Sequence, residues 1–138
     1  MVQPVQEIEE KRQYQRFPVS FMVAYTVRSP FQVRISIGDN DCFAIARDIG
    51  EGGMGLLTNF KIPVDSLLLL KFTIINDAIL STEDRARSFE LDAQVRNCGM
   101  TEEASYRLGV SFMNIVPSER AYISDYIQIH ASNRNFNA

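Results

Sequence analysis

Val19-Ser20-Phe21-Met22-Val23-Ala24-Tyr25-Thr26 sets Val19, Phe21, Val23 and Tyr25 against Ser20, Met22, Ala24 and Thr26, residue by residue. A period of two is the pattern of a strand that buries one face. Downstream, Ser29-Pro30 is a turn signal. Phe31, Val33, Ile35 and Ile37 then alternate with Gln32, Arg34 and Ser36, which predicts a second strand. Gly38-Asp39-Asn40-Asp41 has the composition of a hairpin turn. Strand character resumes from Cys42 to Arg47, ends a short strand at Leu56 and Leu57, and returns over 67–75, 89–97 and 106–112. Asn76 to Ser88 is polar and charged and is expected to be a long surface loop. The C-terminal segment switches period: Tyr122, Ile123, Tyr126, Ile127 and His130 share one helical face, behind the start signal Pro117-Ser118-Glu119. The expected fold is all-β with an appended helix: a six- to seven-stranded antiparallel β-barrel plus a C-terminal α-helix that docks on it. The absence of β-α-β alternation argues against a doubly wound nucleotide fold.

The chain has 138 residues, the size of one compact domain, and 46% apolar residues, enough for a core without staples. Its layout divides into a flexible lead over 1–10, a domain over 11–131 and a disordered tail over 132–138. The net charge of -3 argues against binding long nucleic acid, which needs many cationic contacts to phosphate. A small dianionic ligand needs only a few well-placed arginines. Cys42 and Cys98 are too few for a disulfide framework and read as reduced core thiols. With the single His130 they give no metal-ligand spacing. The N-terminus has no apolar h-region, and Leu67–Leu70 is far short of a membrane span, so a cytoplasmic protein without membrane insertion is expected. No nucleophile–base pair with a supporting third group stands out, so an enzyme is not expected.

Two short patterns carry chemistry. Arg12-x-x-x-Arg16 puts two guanidinium groups on one side of the chain, whether helical or extended. Guanidinium forks onto phosphate or onto the O6/N7 edge of guanine. Asp48-x-Gly50-x-x-Gly53 offers a carboxylate acceptor for a guanine N–H edge beside glycines that let a ligand approach the backbone. Each pattern alone is weak: paired arginines usually mark a solvated face, and an Asp/Gly stretch usually marks a hairpin or bulge. Arg47, Arg96, Tyr14 and His130 are read as solvated or packing residues.

Taken together, the basic motif before the first strand, the Asp/Gly motif after further strands, and Leu108-Gly109-Val110-Ser111-Phe112 before a closing helix resemble the PilZ family over roughly residues 9 to 130. The family motifs, R-x-x-x-R and D/N-x-S-x-x-G, stand here as Arg12 to Arg16 and Asp48 to Gly53. The resemblance implies a receptor for the bacterial second messenger cyclic di-GMP, with no cofactor, that transmits ligand level to an effector protein. It implies that Arg12 and Arg16 clamp the ligand, Lys11 adding charge, while Asp48, Gly50 and Gly53 surround one guanine. The usual Ser is Gly50 here; a lost hydroxyl bond costs about 1 kcal/mol, roughly tenfold in affinity. That departure keeps open a degenerate domain that serves as a protein-interaction adaptor without nucleotide.

Overall fold

The computed structural model describes residues 16–38, 41–76 and 85–137, the side chains only as far as 132. Six strands form: β1 (Phe17–Ser29), β2 (Cys42–Ile49), β3 (Gly53–Thr58), β4 (Leu67–Ile75), β5 (Ala86–Met100) and β6 (Tyr106–Met113). They close into an antiparallel barrel in the order β1-β2-β3-β6-β5-β4. Closure depends on the long first strand, which pairs with β2 through Phe17–Tyr25 and with β4 through Ala24–Ser29.

The interior is the set of side chains selected by the period of two. Val23, Tyr25 and Val27 of β1 meet Leu68, Leu70 and Ile74 of β4 and Leu91, Ala93 and Val95 of β5, all buried. Tyr25 is the one phenol in this set, and its hydroxyl shares a hydrogen bond with Thr58 Oγ1 at 2.7 Å. Burial pushes the Tyr25 pKa from 10.0 up to about 12. Because the phenolate is disfavoured only in the folded chain, stability is intact below pH 10 and falls as pH rises from 10 towards about 12. Ultraviolet titration of the folded chain should show one tyrosine ionising last, and denaturant midpoints should drop across that window.

The segment expected as a second strand is instead a helix, α1 (Phe31–Ile37). An alternation of apolar residues over so short a span also contains i, i+4 pairs, so both readings fit the same letters. The helix uses the Val33/Ile37 pair to pack against the core and leaves Phe31 and Ile35 exposed. β1 itself pairs with β2 over Phe17–Tyr25 and with β4 over Ala24–Ser29. Of the expected turn after it, Gly38 has φ 108°, in the region that favours glycine, while residues 39 and 40 lie outside the described residues. The expected surface loop from Asn76 is also corrected at both ends. Asn76 is buried and its N–H donates to the Arg85 carbonyl, and β5 begins at Ala86.

The closing helix, α2 (Pro117–Asn137), begins at the expected proline and continues past 131, where the sequence suggested a tail. Glu119 reaches back to accept the Val116 N–H at 3.2 Å, one half of a capping box. Ile123 and Ile127 are buried as the helical face predicts. Tyr122 lies edge-on to Phe89, and Tyr126 edge-on to Phe17 at the start of β1. His130 packs beside Tyr126 and Phe17, with Nε2 3.3 Å from Asn76 Oδ1, a packing role as expected. Among the described residues, no helix is long and apolar enough to cross a membrane.

Candidate ligand-binding face

The acidic residue of the Asp/Gly pattern is turned outward by a break in strand register. Ala46 pairs with Leu56 and the next pair is Asp48 with Gly55, so Arg47 is an extra residue on β2. A bulge of this kind re-aims the side chains around it. Ala46 and Ile49 point into the core, Arg47 is exposed, and Asp48 lies half-buried on the outer wall.

There Asp48 is held by two donors. Its Oδ1 accepts the Gly55 N–H at 3.0 Å and Nη1 of Arg16 at 2.6 Å. The Arg16 and Asp48 side chains are 27% and 38% exposed, so the pair is partly shielded yet open on one side. The carboxylate lies flat over Gly55, where an added Cβ would come within 2.7 Å of Oδ2. Arg16 thus arrives from the leader side of β1 directly at the Asp/Gly turn, although the two residues are far apart in sequence.

The glycines do different work from one another. Gly50 donates its N–H to the Gly53 carbonyl at 2.9 Å, which closes the β2–β3 turn. Gly52 accepts the Phe112 N–H at 2.8 Å and ties this turn to β6. A Cβ at Gly53 would sit 2.1 Å from the Val110 carbonyl oxygen, so this position is fixed by close backbone approach. Gly53 and Gly55 lie in β3, and the sequence motif, which takes in Gly50 and Gly53, passes over Gly55 as the platform beneath Asp48. The signal was available, because a glycine inside a strand marks either a bulge or close approach.

Arg12, with Lys11 and Tyr14, falls outside the described residues. Among the described residues no cluster of potential metal ligands occurs. Two shallow concavities, of about 360 and 400 Å³, open beside Met22 and Phe43 and beside Lys71 and Phe89. Neither is lined by Arg16, Asp48 or the motif glycines.

Comparison with known proteins gives a consistent picture. A family model described as PilZ domain matches residues 10–128. The PilZ domain of YcgR from Escherichia coli, solved with c-di-GMP, superposes with a TM-score of 0.60 at 14% identity, over 93% of this chain and 99% of that one. The Bacillus subtilis inhibitor of motility MotI/DgrA superposes with a TM-score of 0.65 at 16% identity, over 89% of this chain. The present chain spans 53% of its length. The K. pneumonia MrkH–c-di-GMP complex gives a TM-score of 0.60 at 15% identity, over 92% of this chain and 54% of that one. No curated protein matches the chain in sequence.

Proposed function

Because the chain belongs to the PilZ domain family, matched over residues 10–128, we propose that it is a cyclic di-GMP receptor that relays ligand level to an effector protein. The observation that supports this reading is the Arg16–Asp48 contact, which sets one residue of the first motif against the acidic residue of the second. Two of the similar solved structures carry c-di-GMP by their own descriptions.

In this reading Arg16 is positioned before the ligand arrives. Its guanidinium has several donors, and the bond to Asp48 occupies one of them. The remainder are available for a phosphate oxygen or a guanine O6/N7 edge. Asp48 keeps Oδ2 to accept from guanine N1–H and N2–H. Gly50 and Gly53 keep the turn low, so the base can lie against backbone. Arg12 is assigned the second clamp by motif position alone. The reading involves no cofactor and no chemical step, and it places the receptor in the cytoplasm.

Transmission has a route in the packing. Phe17, next to Arg16, packs edge-on against Tyr126 of α2 with ring centroids 6.4 Å apart. A ligand that fixes Arg16 also fixes the start of β1 that touches this helix, and the surface around Phe17 and Tyr126 is the one offered to a partner.

Calorimetric titration of the chain with cyclic di-GMP tests the reading. Saturable heat is expected, and a folded chain that gives none at millimolar ligand overturns it. Restoring the family hydroxyl with Gly50→Ser should tighten binding by roughly tenfold, the worth of about one neutral hydrogen bond. The same titration run in parallel on both chains measures the ratio.

A further inference from the structure

The strand register around Asp48 is repeated on the other side of the barrel wall. On β5, Val95 pairs with Val110 and the next pair is Asn97 with Gly109, so Arg96 is an extra residue, as Arg47 is on β2. Gly109 in turn pairs with Gly55 across β6 and β3. A local twofold axis through the Gly55–Gly109 step therefore carries Ala46-Arg47-Asp48-Ile49 onto Val95-Arg96-Asn97-Cys98. It also carries Met54-Gly55-Leu56 onto Leu108-Gly109-Val110.

The side chains obey the same relation. Asp48 leans over Gly55, with Oδ2 2.7 Å from where a Cβ would be. Asn97 leans over Gly109, with Nδ2 2.5 Å and Oδ1 2.7 Å from the corresponding point. Two glycines on neighbouring strands, about 5 Å apart, thus form a floor roofed from one side by a carboxylate and from the other by a carboxamide. The bulge breaks the alternation of β5, so Arg96 and Asn97 both face outward. Arg96 Nε donates to Ser111 Oγ at 2.8 Å, and Ser111 is the register partner of Gly53. Among the described residues Arg96 has no carboxylate partner.

We infer that Arg96 and Asn97 form the second wall of the nucleotide site and select guanine. This rests on the cyclic di-GMP reading above. The two walls differ in hydrogen-bonding sense, and guanine differs in the same sense between its edges. Asp48 is an acceptor and suits N1–H and N2–H. Asn97 Nδ2 and the Arg96 guanidinium are donors and suit O6 and N7. Adenine presents an N6 amino donor where guanine has O6, so it faces these donors with a donor of its own. Both β5 residues are exposed, so the discrimination is the contact that adenine cannot make.

Titrations of cyclic di-GMP and cyclic di-AMP against the wild-type chain, Arg16→Ala, Arg96→Ala and Asn97→Ala test this, with a thermal unfolding curve for each. Arg96→Ala and Asn97→Ala should each weaken cyclic di-GMP binding about tenfold at these exposed positions. Each should leave the weak cyclic di-AMP affinity unchanged, so the preference for guanine shrinks by the same factor. Unfolding midpoints close to wild type separate this from a merely structural role. If Arg16→Ala abolishes binding while the two β5 variants bind both dinucleotides like wild type, the second wall is wrong and the receptor reading stands. If the wild-type chain binds neither dinucleotide, both fail together.

Discussion

Arg16→Ala is expected to lower cyclic di-GMP affinity by about a hundredfold or more and to leave the fold almost unchanged. The two effects separate because the arginine plays two parts of unequal weight. In the free chain it pairs with Asp48 at the surface of the barrel, at 27% and 38% side-chain exposure. Such a partly solvated pair contributes about 1 kcal/mol or less. Asp48 also keeps its bond from the Gly55 N–H, so its orientation survives. In the proposed complex the lost group is a charge-assisted fork onto an anionic ligand. Truncating one partner of such a contact costs about 2–5 kcal/mol. Calorimetry for affinity and urea unfolding for stability measure the two numbers on the same protein. A stability loss larger than the binding loss would mean that Arg16 serves the fold first.

Gly53→Ala should do the opposite and damage the barrel itself. The added Cβ would meet the Val110 carbonyl oxygen at 2.1 Å and the Ser111 Cα at 3.1 Å. Both are backbone atoms of β6, so no side chain can rotate away. Relief requires β3 and β6 to separate where Gly53 pairs with Ser111 and where Gly52 accepts the Phe112 N–H. A destabilisation of about 3 kcal/mol or more is expected, at the upper end of overpacking effects. Gly99→Ala is the matched control. No atom lies within 4 Å of its added Cβ, and its effect should stay within about 0.5 kcal/mol. Urea midpoints of the two variants against wild type decide the matter. If Gly53→Ala were as stable as Gly99→Ala, the close approach of β3 to β6 would not be what fixes this glycine.

The sequence disclosed most of the barrel because burial on one face writes itself as alternation. Val19 to Tyr25, Phe89 to Val95 and Tyr106 to Phe112 all became strands, and the face shared by Ile123 and Ile127 became the docked side of α2. The error over Phe31–Ile37 has a specific origin. In seven residues a period of two and an i, i+4 pairing use the same positions, so the letters alone do not decide between them. The candidate face was legible in part. Arg16 and Asp48 were identified from residue type and order, and they touch. The placement of Asp48 over Gly55 and of Asn97 over Gly109 was not legible, because it arises from cross-strand register. Two bulges, at Arg47 and Arg96, set that register, and a bulge leaves no mark in composition.

Backbone amide chemical-shift mapping during a cyclic di-GMP titration tests the central claim most directly, because it reports where the ligand lands. The account predicts saturable shifts concentrated at Arg16, at Gly50 through Gly55 and at Asn97 and Gly109. Absence of saturable shifts, or shifts confined to the concavity beside Met22 and Phe43 on another part of the wall, would contradict it.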